Sequence, residues 1–435
     1  MPTLSAHFQS RQPSAIRLAQ IEFAKRKDGV KALSTAIGNV SLPMPPAMQE
    51  RAFALGSSES PFKDGVVSYT STVGTDEARE AFLNVIRASK CSTEGLHVQI
   101  TEGGSEAMGL MILGCCGPAG KDEKPLLVID AAYTNYIAFA ERLGRKVVSM
   151  RRHLGEDGKY SLPDMTEVKA LVKKYDPGAL LVIPYDNPTG HFYDHETMVE
   201  LAKIAVEGDM WFVSDEAYRE LYYLNQPASS VWRITEEEVP GIIGRRVSLE
   251  TASKVWNACG LRIGALVTDN AEFHARSVAE NTANLCPNSI GQYIFGALAH
   301  QSPEDLEKWF DVQRAYYKGI MTQVTDGLKE KLPGIIVSSP DASIYSVVDV
   351  RKVAKPGFDS QEFVLYCAQR GHTQVNGQPM TLLVSPMAGF YNLKEGEENP
   401  GTLQMRIAYV LPPEEMALVP GLFVELFKKY EEERG

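Results

Sequence analysis

Short runs of consecutive apolar residues alternate with helical patterns between about residues 95 and 270, and this alternation constrains the fold more than any other feature. The runs are PLLVID (125–130), ALLVIPY (179–185), MWFVSDEAY (210–218), RVSLE (246–250) and RIGALVTD (262–269). A strand that is apolar at successive positions is buried on both faces, which is typical of a parallel sheet covered by helices. We therefore expect an α/β fold with a mostly parallel central sheet.

The ends of the chain predict a second, smaller α+β domain. Residues 303–332 form the pattern of one long amphipathic helix or a bent pair. The other predicted elements are a helix at 14–29, strands within 335–350 and 404–410, and a last helix at 414–433. A chain of 435 residues is long enough for two or three domains. We expect a large domain at 48–310 and a small domain built from an N-terminal arm (1–47) and a C-terminal α+β part (311–435).

Composition excludes several classes of function. The formal net charge of −11 and the pI of about 5.4 argue against a nucleic-acid-binding surface. No stretch approaches the ~20 apolar residues of a membrane-spanning helix, and the N-terminus has no apolar segment typical of a secretory signal. The six cysteines show no CxxC spacing, and His191 and His195 have no further zinc ligands near them. We expect a cytoplasmic protein with reduced thiols that binds no nucleic acid, membrane or metal.

Polar residues collect where the apolar runs end. The three runs from ALLVIPY to RVSLE deliver Asp186-Asn187-Pro188-Thr189-Gly190, then Asp215 and Tyr218, then Thr251, Ser253 and Lys254. In open α/β sheets, ligands bind beyond the carboxyl ends of the strands. Upstream, Gly103-Gly104-Ser105-Glu106 precedes an apolar helix, whose free N–H groups would suit a phosphate. Taken one at a time, these features are also explained by a turn, a helix cap or a solvated lysine.

Taken together, they match the requirements of an aldehyde cofactor such as pyridoxal phosphate. That cofactor needs a lysine to hold it as an imine, a carboxylate for its ring nitrogen, donors for its phenolic oxygen and a cup for its phosphate. The residues that meet these needs, in that order, are Lys254, Asp215, Asn187 with Tyr218, and Gly104-Ser105-Glu106 with Thr251 and Arg262. The Gly-Gly pair at 103–104 fits neither GxGxxG nor a GK[ST] loop, so a nicotinamide or nucleotide site is not supported.

The order and spacing of these motifs resemble the fold-type I pyridoxal-phosphate enzymes of the class I/II aminotransferase family, of the aspartate aminotransferase type. The matching motifs are Asn-Pro-Thr-Gly at 187–190, Asp-Glu-Ala-Tyr at 215–218, Ser253-Lys254 with Gly260-Leu261-Arg262-Ile263-Gly264, and Met405-Arg406-Ile407. The resemblance extends from about Ile37-Gly38 to Arg406. It implies a transaminase that moves an amino group between an L-amino acid and a 2-oxo acid through a Schiff base at Lys254.

The resemblance also implies a role for each matching residue in cofactor binding and catalysis. Lys254 resembles the Schiff-base lysine and Asp215 the partner of the ring nitrogen, while Asn187 and Tyr218 resemble the partners of the phenolic oxygen. The residues that match phosphate contacts are Gly104, Ser105, Glu106, Thr251 and Arg262. Tyr133 resembles the aromatic residue that stacks on the ring, although a core tyrosine is the alternative.

Three further residues bear on assembly and substrate binding. Tyr69 resembles the tyrosine that reaches the neighbouring subunit's cofactor phosphate, which implies a homodimer with shared sites. Arg406 resembles the arginine that binds the substrate α-carboxylate as a bidentate pair, and Gly38 lies near that carboxylate in the family.

One alternative activity stays open at this point. The cofactor motifs do not separate transamination from β-elimination at a carbon–sulfur bond, so a pyridoxal-phosphate lyase is the alternative activity. A non-catalytic regulator is disfavoured, because only 36 residues precede Ile37 and a fused DNA-binding domain needs more. The stretch NTANLCPNS (281–289) contains no arginine of the kind that some aspartate-type members use for a distal carboxylate, so a dicarboxylate substrate is not supported.

Overall fold

The computed structural model describes residues 2–120, 124–393 and 396–434. The helices are α1 (Ala6–Gln9), α2 (Ala15–Ala24), α3 (Pro46–Phe53), α4 (Asp76–Ala88), α5 (Gly103–Cys116), α6 (Asn135–Arg142), α7 (Met165–Tyr175), α8 (His195–Glu207), α9 (Ala271–Asn281), α10 (Ser289–Gly296), α11 (Pro303–Lys331), α12 (Ser360–Gln369), α13 (Pro413–Met416) and α14 (Val419–Glu433). The strands are β1 (Lys31–Ser34), β2 (His97–Glu102), β3 (Leu126–Asp130), β4 (Val147–Arg151), β5 (Ala179–Val182), β6 (Trp211–Asp215), β7 (Arg246–Thr251), β8 (Ile263–Thr268), β9 (Ile336–Val337), β10 (Tyr345–Asp349), β11 (Thr373–Val375), β12 (Gln378–Leu383), β13 (Ser385–Pro386) and β14 (Gln404–Ala408).

The chain divides into two compact units. The large unit comprises Asn39–Gly319 and Ser338–Tyr345, and the small unit comprises Met1–Gly38, Ile320–Val337 and Ser346–Gly435. The chain passes from the large to the small unit within α11. The first two limits between the units lie at 38/39 and 319/320. The domain limits expected from the sequence are 47/48 and 310/311.

The large unit is built on a mostly parallel sheet, as the apolar runs predict. Within the described residues the sheet has seven strands in the order β2-β8-β7-β6-β5-β3-β4. β8 is antiparallel to both of its neighbours, and the remaining pairs are parallel. β3, β5 and β8 are buried at every position, which is the pattern of strands in a sheet that is covered on both faces.

The strand directions bring one set of strand ends to a common edge. The carboxyl ends of β3, β5, β6 and β7 lie there because these strands are parallel. The start of β8 lies at the same edge, since Gly264 pairs with Thr251 of β7, and Ile263 pairs with Glu102 at the end of β2. The loops that carry the predicted site residues of the large unit, except Tyr69, therefore emerge from one side of the sheet.

The small unit contains its own sheets and aromatic core. β1, β12 and β11 form a three-stranded sheet in the described part of this unit. β13, β14, β10 and β9 form the other sheet, of which Tyr345 at the start of β10 belongs to the large unit. The core includes the buried rings of Phe358, Phe363, Phe423, Phe427 and Tyr430.

No helix in the described part of the chain combines the length and the apolar character that crossing a membrane requires. All six cysteines fall within the described ranges, and each is a free thiol.

Candidate active site

The first turn of α5 forms one wall of a cup at the sheet edge. Glu102 precedes the helix and makes no side-chain cap hydrogen bond to it. Glu106 instead accepts a hydrogen bond from the backbone N–H of Glu102 at 2.6 Å, and the backbone of Gly103 is left-handed, with φ of +71°. The turn therefore presents backbone N–H groups and the positive end of the helix dipole toward the edge of the sheet.

Two glycines allow β8 and Arg262 to approach this turn closely. A Cβ on Gly264 would lie 2.5 Å from the carbonyl carbon of Gly103 and 2.6 Å from the nitrogen of Gly104. A Cβ on Gly103 would lie 2.4 Å from Nη2 of Arg262. Arg262 also donates to the carbonyl of Glu102 at 3.4 Å, so its guanidinium is held against the start of α5.

Hydroxyl groups from the end of β7 complete the cup. A Cβ on Gly104 would be 3.7 Å from Cβ of Thr251, which puts this threonine beside the helix start. The hydroxyls of Thr251 and Ser253 are 2.8 Å apart, and the backbone N–H of Ser253 donates to Thr251 Oγ1 at 3.1 Å. The backbone amides, one guanidinium and these hydroxyls make a donor set that suits a phosphate.

Lys254 follows directly after this cup. Its side chain is half-buried, and its Nζ lies 3.8 Å from Sγ of Cys259. Arg262 donates to the backbone carbonyl of Cys259 at 3.2 Å. The lysine amine and the arginine guanidinium are thus both tied to the turn that connects β7 and β8.

Asp215 ends β6 as a buried carboxylate. Its Oδ2 accepts a hydrogen bond from the hydroxyl of Tyr136, and its Oδ1 accepts one from the N–H of Ala217 at 3.0 Å. Burial raises the pKa of Asp215 from 3.8 to about 6, and the hydrogen bond from Tyr136 opposes that rise. Among the described residues no lysine or arginine forms an ion pair with Asp215, so the site favours a cation brought by a ligand.

Asn187 and Tyr218 meet at the carboxyl ends of neighbouring strands β5 and β6. Both side chains are buried, and Nδ2 of Asn187 donates to the Tyr218 hydroxyl at 3.4 Å. The Tyr218 hydroxyl also lies 2.8 Å from that of Tyr345. Tyr133 is half-buried beyond the end of β3, and its ring makes an edge contact with Tyr136 at 5.7 Å.

Tyr69 differs from these residues because its side chain is 78% exposed. It lines a surface cavity of about 340 Å³ together with Phe62, Val66 and Tyr293. The structure therefore leaves Tyr69 at the surface of the large unit rather than packed among the residues at the sheet edge.

Gly38 and Arg406 belong to the small unit. Arg406 lies on β14, is buried, and donates from Nη2 to the carbonyl of Ala36 at 2.7 Å. Its guanidinium lies over the ring of Phe390, 5.1 Å from the ring centre. The backbone that leads to Gly38 is therefore held next to this arginine.

The donor set of the large unit fits pyridoxal phosphate. The cup formed by α5, Thr251 and Arg262 suits the phosphate, and glycine is required where Arg262 meets the helix start. Asp215, which has a buried carboxylate and no cationic partner among the described residues, suits a protonated ring nitrogen. Lys254 supplies the primary amine that an aldehyde cofactor requires.

Comparison with known proteins agrees with this fit. The profile of the family described as aminotransferase class I and II matches residues 61–382. The chain belongs to the class I and II aminotransferase family.

Curated relatives cover most of the chain. An aspartate aminotransferase of Musicola paradisiaca is 25% identical over 73% of this chain and 74% of its own length. An aspartate/prephenate aminotransferase of Thermus thermophilus is 25% identical over 81% of this chain and 86% of its own length.

Solved structures show the same fold. Thermus thermophilus aspartate aminotransferase, in a single-mutant form, aligns with a TM-score of 0.77 at 22% identity over 98% of this chain and 100% of the other. N-succinyldiaminopimelate aminotransferase from Mycobacterium tuberculosis aligns with a TM-score of 0.79 at 19% identity, with the same coverage of both chains.

This class I/II aminotransferase is an enzyme that depends on pyridoxal phosphate, and its reaction is transamination. The alternative of a carbon–sulfur lyase on the same fold is not favoured, since the relatives are named as aminotransferases. The fold-type I architecture expected from the sequence is confirmed.

Three residues of the aminotransferase site were missed by the sequence analysis. Tyr136 binds Asp215, Tyr345 contacts Tyr218, and Arg152 forms a buried ion pair with Asp186. Arg152 directly follows β4 and Tyr136 lies one helical turn beyond Tyr133, so position relative to the strand ends gave a usable signal for both. Tyr345 is far from the other motifs in sequence and offered no such signal.

Proposed function

We propose that this aminotransferase uses Lys254 to hold its cofactor and to move the proton of the substrate Cα between an L-amino acid and a 2-oxo acid. The observation that carries the proposal is the convergence of Lys254, Asp215 and Arg262 at one edge of the large unit's sheet. A lone lysine is usually a solvated cation, whereas this half-buried lysine follows a built anion cup.

Each remaining side chain has a distinct task in the proposed reaction. The cofactor, when bound, supplies an electron sink for the negative charge that develops at the substrate Cα. Asp215 keeps a proton on the ring nitrogen, because a carboxylate with no protein cation stabilises a positive neighbour. Asn187 and Tyr218 hold the phenolic oxygen, and Tyr133 covers one face of the ring.

The phosphate and the substrate are bound by different arginines in this proposal. Arg262 and Thr251, with the backbone amides of Gly104, Ser105 and Glu106, hold the phosphate. Arg406 binds the substrate α-carboxylate as a bidentate pair, and Gly38 belongs to the same unit. Because both arginines are fixed by backbone carbonyls, little side-chain freedom is lost when either binds its anion.

We also propose a homodimer in which Tyr69 reaches the partner's cofactor phosphate. Tyr69 and Val66 line one surface cavity and, like the nearby Val67, are more than half exposed, which is typical of a surface that another subunit covers. Size measurement by sedimentation checks the dimer. Mixing Tyr69→Phe subunits with Lys254→Ala subunits then tests whether the sites are shared. In a mixed dimer, the subunit with an intact Lys254 has a partner with an intact Tyr69. Shared sites therefore predict an activity per intact lysine that differs from that of the Tyr69→Phe dimer.

A cytoplasmic location is also proposed, and it is supported by six free thiols, of which four are buried. Fractionation of cells followed by detection of the protein checks this location.

A panel of amino donors and 2-oxo acid acceptors tests the proposed chemistry. The absorbance change of the cofactor reports whether each pair reacts. Wild-type protein should turn over only when an acceptor is present, and Lys254→Ala should lose at least about 10³-fold in turnover. Lys90→Ala is the matched control, because Lys90 is an exposed lysine of the same unit and should keep wild-type activity. Release of ammonia without an acceptor, or unchanged turnover in Lys254→Ala, would contradict the proposal.

A further inference from the structure

A short segment, residues 338–345, is held against the loops that carry Asn187 and Tyr218. The N–H of Ala342 donates to the carbonyl of Gly190 at 2.8 Å, and the hydroxyl of Ser343 donates to the carbonyl of Asp186 at 2.8 Å. These two bonds fix the segment to both ends of the Asp-Asn-Pro-Thr-Gly loop. The segment therefore belongs to the large unit although β10, which it leads into, continues in the small unit.

The same segment is bound to the chain that follows β6. The N–H of Ser343 donates to the carbonyl of Leu221 at 2.8 Å, and the hydroxyl of Tyr223 donates to the carbonyl of Ser343. Gly190 permits the close fit, because its φ is +70° and a Cβ there would lie 2.6 Å from the carbonyl oxygen of Tyr345. The position of Tyr345 is thus set by both loops that carry predicted cofactor contacts.

Tyr345 meets Tyr218 through its ring and through its hydroxyl. The rings make an edge contact, with centres 5.6 Å apart and planes at 78°, and the two hydroxyl oxygens are 2.8 Å apart. Tyr345 is 2% exposed and Tyr218 is 4% exposed, so bulk water does not compete for this hydrogen bond.

The direction of that hydrogen bond decides where the hydrogen of Tyr218 points, because either hydroxyl can be the donor. A phenolic hydroxyl has one hydrogen to donate and two lone pairs that accept. The amide Nδ2 of Asn187 is a donor only, so it uses one lone pair of the Tyr218 oxygen. If Tyr345 donates to the Tyr218 oxygen, the hydrogen of Tyr218 points away from Tyr345.

We propose that Tyr345 is a positioning residue: its hydroxyl donates to Tyr218 and so directs the hydrogen of Tyr218 to the phenolic oxygen of the cofactor. This inference rests on the proposed role of Tyr218. Tyr345 contributes a hydroxyl that polarises the hydroxyl of Tyr218 and makes that hydroxyl a stronger donor.

The proposal predicts the direction of a spectroscopic shift. Negative charge on the phenolic oxygen holds the proton of the neighbouring lysine–cofactor linkage, and a donor to that oxygen weakens this hold. Removing the donor should therefore raise the pH midpoint of the absorbance change of lysine-bound cofactor. If Tyr218 instead donated to Tyr345, removal of Tyr345 would free the hydrogen of Tyr218 and lower the midpoint.

The experiment is an absorbance titration of holoenzyme without substrate, for wild type, Tyr218→Phe, Tyr345→Phe and the double variant. Tyr218→Phe should raise the midpoint by about one pH unit or more, and Tyr345→Phe by about half a unit. The double variant should match Tyr218→Phe, because Tyr345 acts only through Tyr218.

Tyr223→Phe is the matched control. It removes a hydroxyl that donates to the carbonyl of Ser343 in the same segment rather than to Tyr218, and it should leave the midpoint unchanged. An unchanged or lowered midpoint in Tyr345→Phe, or an equal rise in Tyr223→Phe, would overturn the inference. If wild-type protein shows no lysine-bound cofactor, or if Tyr218→Phe does not shift the midpoint, the proposed function fails instead.

Discussion

Two aspartates lie at the carboxyl ends of the neighbouring strands β5 and β6 of the central sheet, and their carboxylates have different partners. Asp186, 2% exposed, follows β5 and pairs with the guanidinium of Arg152 and the hydroxyl of Thr189. Asp215, 8% exposed, ends β6 and accepts hydrogen bonds from Tyr136 and a backbone N–H. Burial raises the pKa of both carboxyls, but only for Asp186 does a protein cation oppose the rise.

The difference indicates a structural role for Asp186 and supports the functional role that we propose for Asp215. Arg152 is fully buried and lies over the rings of Tyr160 and Tyr193, so the ion pair with Asp186 fastens the start of the Asn187 loop. Asp215 keeps its charge available, because its neighbours donate hydrogen bonds without neutralising it. We infer that Asp215 is completed by a ligand cation, as the protonated ring nitrogen of the cofactor provides.

The largest expected effect comes from breaking the ion pair of Asp186. Arg152→Ala leaves a buried carboxylate without its cation and should lower the free energy of unfolding by about 3–5 kcal/mol. Urea denaturation followed by circular dichroism measures the change. Arg276→Ala is the control: its pair with Glu272 is more than 80% exposed on both sides and should contribute at most about 1 kcal/mol. Equal stability of the two variants would remove the distinction.

Replacing the other carboxylate should lower catalytic activity without lowering the free energy of unfolding. Asp215→Asn keeps the shape but removes the charge that we propose stabilises the protonated ring nitrogen, so kcat/KM should fall by about 10²–10³-fold. Asp186→Asn should instead lower the free energy of unfolding, because it strands the buried guanidinium of Arg152. Steady-state kinetics and urea denaturation of both variants test the contrast, and wild-type kcat/KM in Asp215→Asn would refute the functional role of Asp215.

The free energy of unfolding should depend on pH through Asp215. Because the pKa of Asp215 is raised in the folded state from 3.8 to about 6, its stabilising contribution is present below pH 3.8 and is lost as pH rises through about 6. In cofactor-free protein, Asp215→Asn should therefore gain stability relative to wild type across this window, by at most about 3 kcal/mol.

Denaturation of both proteins at pH 4 and pH 7 measures that gain. Bound cofactor should reduce it, since a cation beside Asp215 lowers the pKa of this carboxyl. A gain that is absent, or that is unaffected by cofactor, counts against the account of Asp215.

The smallest expected effect is that of Tyr136. Tyr136→Phe removes one hydrogen bond and should cost about 1 kcal/mol of unfolding free energy. It should also move the pH window of Asp215 upward, because the hydrogen bond from Tyr136 lowers the pKa of Asp215. Tyr317→Phe is the control, since the buried Tyr317 hydroxyl has no hydrogen-bond partner among the described residues. A pH window that moves equally in both variants would show that Tyr136 has no special link to Asp215.

The sequence was sufficient to predict which candidate residues lie at the edge of the sheet where the strands end. Asp215 and Lys254 each follow a continuous apolar run, and such runs end at the edge where ligands bind in parallel sheets. Pairing across the sheet then brings Arg262 to the same edge, because β8 returns antiparallel beside β7. These positions follow from chain direction alone.

Long-range partners could not be predicted in this way. Tyr136 and Asp215 are 79 positions apart, and Tyr218 and Tyr345 are 127 positions apart. No local pattern in the sequence marks a tyrosine whose hydroxyl meets a distant side chain, because that meeting is decided by how the loops pack.

The two ends of helix α2 also differ in how well the sequence predicts them. Ser14 caps the start of α2, accepting a hydrogen bond from the N–H of Arg17. The predicted helix at 14–29, however, ends at Ala24, because Arg26 turns away to bind Asp28 and the carbonyls of Cys367 and Gly371. The N-cap is a local signal, whereas the end depends on contacts made more than 340 positions away.

The central claim is that the amine of Lys254 holds the cofactor. Borohydride reduction of the pyridoxal-phosphate-loaded enzyme, followed by proteolysis and mass spectrometry, tests this claim most directly because it records the attachment point itself. The account predicts that the reduced phosphopyridoxyl group is found on Lys254. A tag on any other lysine, or no tagged peptide from coloured enzyme, would contradict it.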